Sequence, residues 1–156
     1  LARDEKLCRI QKGSDEKEMT IDELYASISD NVDIDYYLFD NCESLSAPIG
    51  DRYVIAIDPT KVKSQADEKV KVAHEYEHCR LWTFYSPTTD YIVRRQCEVK
   101  TDRSTIKRLV PLNELKTALA SGIREPWELA DHFGVPEKFL REAVAFYESL
   151  LQDFLC

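Results

Sequence analysis

The sequence predicts an α+β domain: a small three-stranded sheet packed on a pair of helices, with a C-terminal helical unit. Three observations carry this reading. The strand-forming runs VDIDYYLF (32–39), LSAPIG (45–50) and YVIAID (53–58) are crowded into the first part of the chain. Beyond residue 64 the pattern is helical, broken by short turns that carry proline or glycine. The order is therefore helix, three strands, then helices, without the strand–helix alternation of an α/β sheet. At 156 residues and 44% hydrophobic content, the chain suits one domain that buries a core without disulfide staples.

Residues 1–18 form a charged extension with no apolar leader stretch, and poor order is expected there. Thr20 caps a short helix from Ile21 to about Ser29, and Glu23, three positions on, completes a capping box. YVIAID is almost wholly apolar, which marks it as the central strand. Asp58-Pro59-Thr60 closes it. A long helix follows from about Gln65 to Phe84, and Ser86-Pro87-Thr88-Thr89-Asp90 breaks it. A second runs from about Tyr91 to Leu109 and stops ahead of Pro111. Two or three further helices follow, with a turn at Gly134.

Charge and cysteine content narrow the function classes. The chain has 21 basic and 29 acidic side chains, a net charge of −8. That balance argues against a nucleic-acid backbone or an anionic membrane as the main partner. No apolar run approaches the ~20 residues needed to cross a bilayer. Five cysteines, with no C-x-x-C pair, argue against a secreted disulfide framework and favour a reducing cytoplasm. Cys79 and Cys97 each adjoin a candidate metal ligand. A helix turns about 100° per residue, so both point away from the metal and read as small buried thiols.

The chemistry concentrates in HEYEH, residues 74–78. His74 and His78, four apart on a helix, stand one above the other and can reach one ion. Glu75 lies beside them, placed to act as a general base. This is the H-E-x-x-H zinc pattern, and a zinc ion brings the pKa of its water towards ~7, within reach of a carboxylate base. A third ligand is required. Glu98 and Asp102 share one face of the next helix, so one can bind the metal while the other braces a ligand histidine. A solvated charged face is the competing reading of such a pair.

HEYEH followed by EVKTDRSTIKRLVP (98–111) resembles the ImmA/IrrE family of zinc metallopeptidases. Glu98, Asp102, Leu109 and Pro111 keep the frame of that family's second block. The lead-in YVIAIDPTKVKSQADEKVKVAHEYEH is similar as well, and the likeness covers roughly residues 19–145. It implies that His74, His78 and Glu98 bind Zn2+, that Glu75 is the catalytic base, and that Asp102 is the outer carboxylate. Residues 19–111 would be a metallopeptidase-like core and 112–156 a C-terminal helical subdomain. The implied activity is endopeptidase cleavage of one regulatory protein, a helix-turn-helix repressor of a mobile element. The alternative is a zinc-stabilised regulatory protein that recognises the repressor without cutting it. Direct nucleic-acid binding is not expected. LADHFGVP hints at a helix-turn-helix, but the following helix carries Glu137, Lys138, Arg141, Glu142 and Glu148, which is no basic reading head.

The chain departs from the family at Tyr76-Glu77, where Leu-Gly is usual. It has Thr101 and Thr105 in place of alanines, and Ser104 in place of an apolar residue. Glu77 shares a helical face with Val70, Ala73, Leu81 and Phe84. It is therefore expected to be at least partly buried and paired with Arg94, Arg95, Arg103 or Arg108, or with backbone donors. Tyr85, Tyr91, Arg94, Arg95 and His132 are candidate donors to an oxyanion, and the sequence does not choose among them.

Overall fold

A computed structural model describes residues 19–155; the extension at 1–18 lies outside the described residues. The elements are α1 (Ile21–Ser27), β1 (Val32–Tyr36), β2 (Ser44–Ile49), β3 (Arg52–Ile57), α2 (Gln65–Leu81), α3 (Tyr91–Leu109), α4 (Leu112–Ala120), α5 (Pro126–Phe133) and α6 (Glu137–Leu155). A single 3-10 turn, Pro59–Lys61, joins β3 to α2. The fold class is α+β, as expected. No helix among the described residues is long and apolar enough to cross a membrane.

The sheet order is β1-β3-β2, so YVIAID occupies the centre. β1 runs parallel to β3, and β2 runs antiparallel to it, with Ser44 opposite Ile57 and Ile49 opposite Arg52. The two-residue turn Gly50-Asp51 joins β2 to β3, and Gly50 sits at φ 65, the left-handed conformation such a hairpin requires. In a two-residue hairpin the flanking pair, Ile49 and Arg52, is hydrogen-bonded, and bonded pairs then alternate along the ladder. Ser44, Ser46 and Pro48 therefore turn their backbone groups outward on the free edge of β2. Pro48, which has no N–H to offer a ladder, fits that edge.

Local contacts set the bounds of α1, β1 and α2. The capping box forms: Thr20 Oγ1 accepts from Glu23 N at 3.2 Å, and Glu23 Oε2 accepts from Thr20 N at 2.9 Å. β1 stops at Tyr36 rather than Phe39. The Phe39 amide donates instead to the buried Asp58 carboxylate at 2.9 Å, which ties the β1–β2 connection to the end of β3. α2 stops at Leu81 rather than Phe84. Trp82 is in the left-handed conformation at φ 54, and the amides of both Trp82 and Thr83 bond to the His78 carbonyl. A non-glycine residue there costs roughly 1–2 kcal/mol. The Trp82 ring packs edge-on against Tyr53 and Phe84, which offsets part of that cost.

One apolar cluster runs from α1 and the sheet (Leu24, Ile55, Ile57) through α2 (Val72, Ala73) into the C-terminal helices (Leu129, Phe133, Leu140, Ala143). Gly134, at φ 55, caps α5 and makes the expected turn into α6. The buried Lys69 ammonium crosses from α2 to donate to the Phe133 carbonyl at 2.7 Å.

Candidate metal centre

α2 and α3 lie against each other, and the helical stripe of each brings its candidate ligands to their interface. His74 Nε2 lies 3.1 Å from His78 Nε2. The Glu98 carboxylate reaches both rings, 3.4 Å from His74 Nε2 and 3.2 Å from His78 Nε2. His74, His78 and Glu98 form the one three-residue group of potential metal ligands among the described residues, their ligand atoms all within 4.8 Å of one another. Neither Cys79 nor Cys97 joins it.

The donor set and its spacing fit zinc. Zinc bonds of about 2.0–2.2 Å in a tetrahedron place neighbouring ligand atoms roughly 3.4 Å apart. The 3.1–3.4 Å separations here match that edge length. Outer contacts also fix which nitrogen faces the centre. His78 Nδ1 lies 3.0 Å from the Thr83 carbonyl, so it carries the proton and leaves a lone pair on Nε2. His74 Nδ1 lies 3.2 Å from Asp102 Oδ1, with the same consequence. Two lone pairs and a carboxylate then converge on one point, an arrangement that only a cation or a proton stabilises. Burial by itself would push His74 down, but hydrogen bonds to Asp102 and Glu98 and the charge of Glu75 lift its pKa to about 10. Hydrogen bonds from His74 and then His78 hold Glu98 far below the usual carboxylate range. The pocket demands positive charge.

Glu75 projects from the adjacent flank of α2 towards the sheet. Ser44 Oγ donates to its Oε1 and Ser46 Oγ to its Oε2, each at 2.7 Å. Both serines stand on the same face of β2, and both line a cavity of about 290 Å³ with His74, Glu75, His78 and Glu98. Of the five candidate oxyanion donors, only Tyr85 lines that cavity. Its hydroxyl donates to Glu98 Oε1 at 2.6 Å, and its ring centroid is 6.0 Å from that of His78. Burial, then the hydrogen bond to Glu98, pushes the phenol well above its ordinary pKa, so it remains a donor.

The opposite flank of α2 carries Glu77, which is 0% exposed. Arg108 Nε donates to its Oε1 at 2.6 Å. Arg80 Nη2 and Ser104 Oγ donate to its Oε2 at 2.7 and 2.5 Å. Arg108 was one of the four expected partners; Arg80, three positions along the same helix, was not among them. Burial alone would raise the Glu77 pKa, but donation from Arg80, Ser104 and Arg108 outweighs it and holds the group ionised. The Arg108 guanidinium also lies 5.0 Å over the Tyr76 ring. Three of the chain's departures from the zinc-peptidase pattern, Tyr76, Glu77 and Ser104, thus belong to one network. A fourth, Thr101, is fully buried and places its hydroxyl 3.2 Å from His78 Nδ1 and 2.7 Å from Thr83 Oγ1.

Ser44, Ser46 and Thr83 are absent from the candidate residues read off the sequence. Ser46 lies in the expected strand 45–50 but Ser44 lies just ahead of it, and only because β2 starts at Ser44 do the two share a face. Thr83 carried no signal, because helix α2 was expected to continue through it. No family model, curated protein or solved structure matches the chain.

Proposed function

We propose that this protein is a zinc-dependent endopeptidase, with His74, His78 and Glu98 as metal ligands and Glu75 as general base. The observation that carries the reading is the convergence of two histidine lone pairs and a carboxylate at tetrahedral spacing, beside a second carboxylate held by two serines. Zinc bound there would polarise a peptide carbonyl and ease deprotonation of water near neutral pH. Glu75 would accept that proton and pass it to the departing amine. Tyr85 would supply a hydrogen bond to the oxyanion from the wall of the cavity. The free edge of β2, with the backbone of Ser44 and Ser46 turned outward, would hold an extended peptide by strand addition. A flexible or partly unfolded segment of a helix-turn-helix repressor, acting in the cytoplasm, is the substrate the resemblance implies.

The second reading is a zinc-stabilised protein that binds the repressor without cutting it. It is favoured by the two serine hydroxyls that donate to both Glu75 oxygens and tie the carboxylate to β2. Incubating the repressor with wild type and with Glu75→Gln separates the two. Cleavage lost in the variant supports the peptidase; repressor inactivation that survives the substitution supports the binder.

A further inference from the structure

Helix α3 is basic in an acidic protein. It carries six basic and two acidic residues, a balance of +4, while the rest of the chain holds fifteen basic and twenty-seven acidic, a balance of −12. Two of the six bases have defined tasks or surroundings near α2: Arg108 binds Glu77, and Arg94 lies near Tyr85. The other four, Arg95, Lys100, Arg103 and Lys107, line one groove of about 470 Å³ with Leu81 and Val99. At about 100° per residue, Lys100, Arg103 and Lys107 lie on the side of α3 turned away from Thr101 and Thr105, which are buried against α2, and Arg95 lies at the margin of that side. The groove therefore faces away from Glu98 and the metal centre.

None of the four cations has a carboxylate within ion-pair distance among the described residues. Arg52, Lys61, Lys71, Arg80, Arg108, Lys138 and Arg141 all do. Arg103 and Lys107 are instead held over the Phe146 ring of α6, each charge 5.9 Å from its centroid. That contact orients the two side chains without neutralising them. The groove thus combines an apolar floor, Leu81 and Val99, with four positive charges that no carboxylate neutralises.

From this we infer that the outer groove of α3 docks a short acidic segment of a partner protein, with apolar side chains interspersed among its carboxylates. Arg95 and Lys107 are twelve residues apart, or roughly 18 Å along the helix axis. That length matches an extended segment of about five or six residues. Charge selects peptide over nucleic acid. A polyanion longer than the groove would extend along a protein whose residues outside α3 sum to −12, whereas a short segment meets only the positive strip. The apolar floor also suits leucine-like side chains better than a sugar-phosphate backbone. The inference requires no metal and no cleavage, so it stands apart from the peptidase reading.

The test is fluorescence anisotropy at low ionic strength, using a labelled six-residue peptide of alternating glutamate and leucine. Glu75→Gln should bind it as wild type does. Arg103→Glu/Lys107→Glu and, separately, Arg95→Glu/Lys100→Glu should each weaken binding at least about tenfold. The second pair touches no aromatic ring, so it reports on charge even where the first disturbs Phe146. Lys116→Glu/Arg124→Glu, a charge reversal elsewhere on the surface, should leave binding unchanged. Equal losses in all three pairs, no binding by wild type, or tighter binding of a single-stranded oligodeoxynucleotide of equal charge would each overturn the inference.

Discussion

Replacing Glu77 by glycine restores the residue usual in the resembled pattern, and the structure gives the change a definite cost. Glu77 is fully buried and accepts from two arginines and a serine. Removing one partner of a buried pair costs about 3–5 kcal/mol, because the other charge is stranded. The Arg108 side chain is 21% exposed and would remain largely out of water, whereas Arg80, 47% exposed, can turn to solvent and adds little. The lower end, about 3 kcal/mol, is therefore appropriate. Glycine in a helix interior adds about 1 kcal/mol, for about 4 in all. A change of that size should lower Tm by roughly 8–16 °C in a chain of this length. Urea unfolding followed by far-UV circular dichroism measures it. A loss of only about 1 kcal/mol, the propensity cost alone, would refute the network. Adding Arg108→Met should recover part of the loss, with a coupling of about 1–3 kcal/mol; strictly additive effects would refute the pairing.

Protein purified without added metal should hold one zinc per chain by elemental analysis, and His74→Ala/His78→Ala should hold almost none; equal loading would remove the metal assignment. In a chelator competition Glu98→Ala should lose more affinity than Asp102→Ala, for which about 10–100-fold is expected, and the reverse order would exchange their roles. Hydrogen bonds from Thr60 and Phe39 hold the Asp58 carboxyl down to about 2. A depressed folded-state pKa stabilises above the ordinary carboxylate value and loses that stabilisation as pH falls towards 2. The Tm gap between wild type and Asp58→Asn should therefore narrow from pH 5 to pH 2.5, and a constant gap would show that Asp58 does not act through its charge.

What the sequence made legible was whatever repeats at a fixed period. The i, i+4 histidines, Glu98 with Asp102, and the apolar run of β3 each declare a face without knowledge of the neighbour. Less legible was anything set by a departure from ideal geometry. Trp82 gives no sign that it adopts a left-handed turn, since glycine is the usual residue there. The sequence pattern accordingly runs α2 three residues past its true end at Leu81 and hides Thr83 within it. β1 is shorter than its run of strand formers predicts because Phe39 forsakes the ladder for Asp58, a side chain nineteen positions away. Glu77 could be recognised as a buried carboxylate from its stripe, yet Arg80, a half-exposed cation three positions along the same helix, gives no sign in the sequence that it turns back to meet it.

The two glutamates that flank the histidine stripe have a consequence for rotation. Glu75 is held by β2 and Glu77 by α3, on opposite sides of the ligand-bearing face of α2. Together they act as outriggers that fix the roll of the helix about its own axis. A ring nitrogen some 6 Å from that axis moves about 1 Å for each 10° of roll, by the geometry of the α-helix. Zinc bond lengths tolerate only about 0.2 Å. Two anchored carboxylates convert a helix that is merely buried into one whose azimuth is set, and it is the azimuth that decides whether His74 and His78 meet Glu98 at a single point.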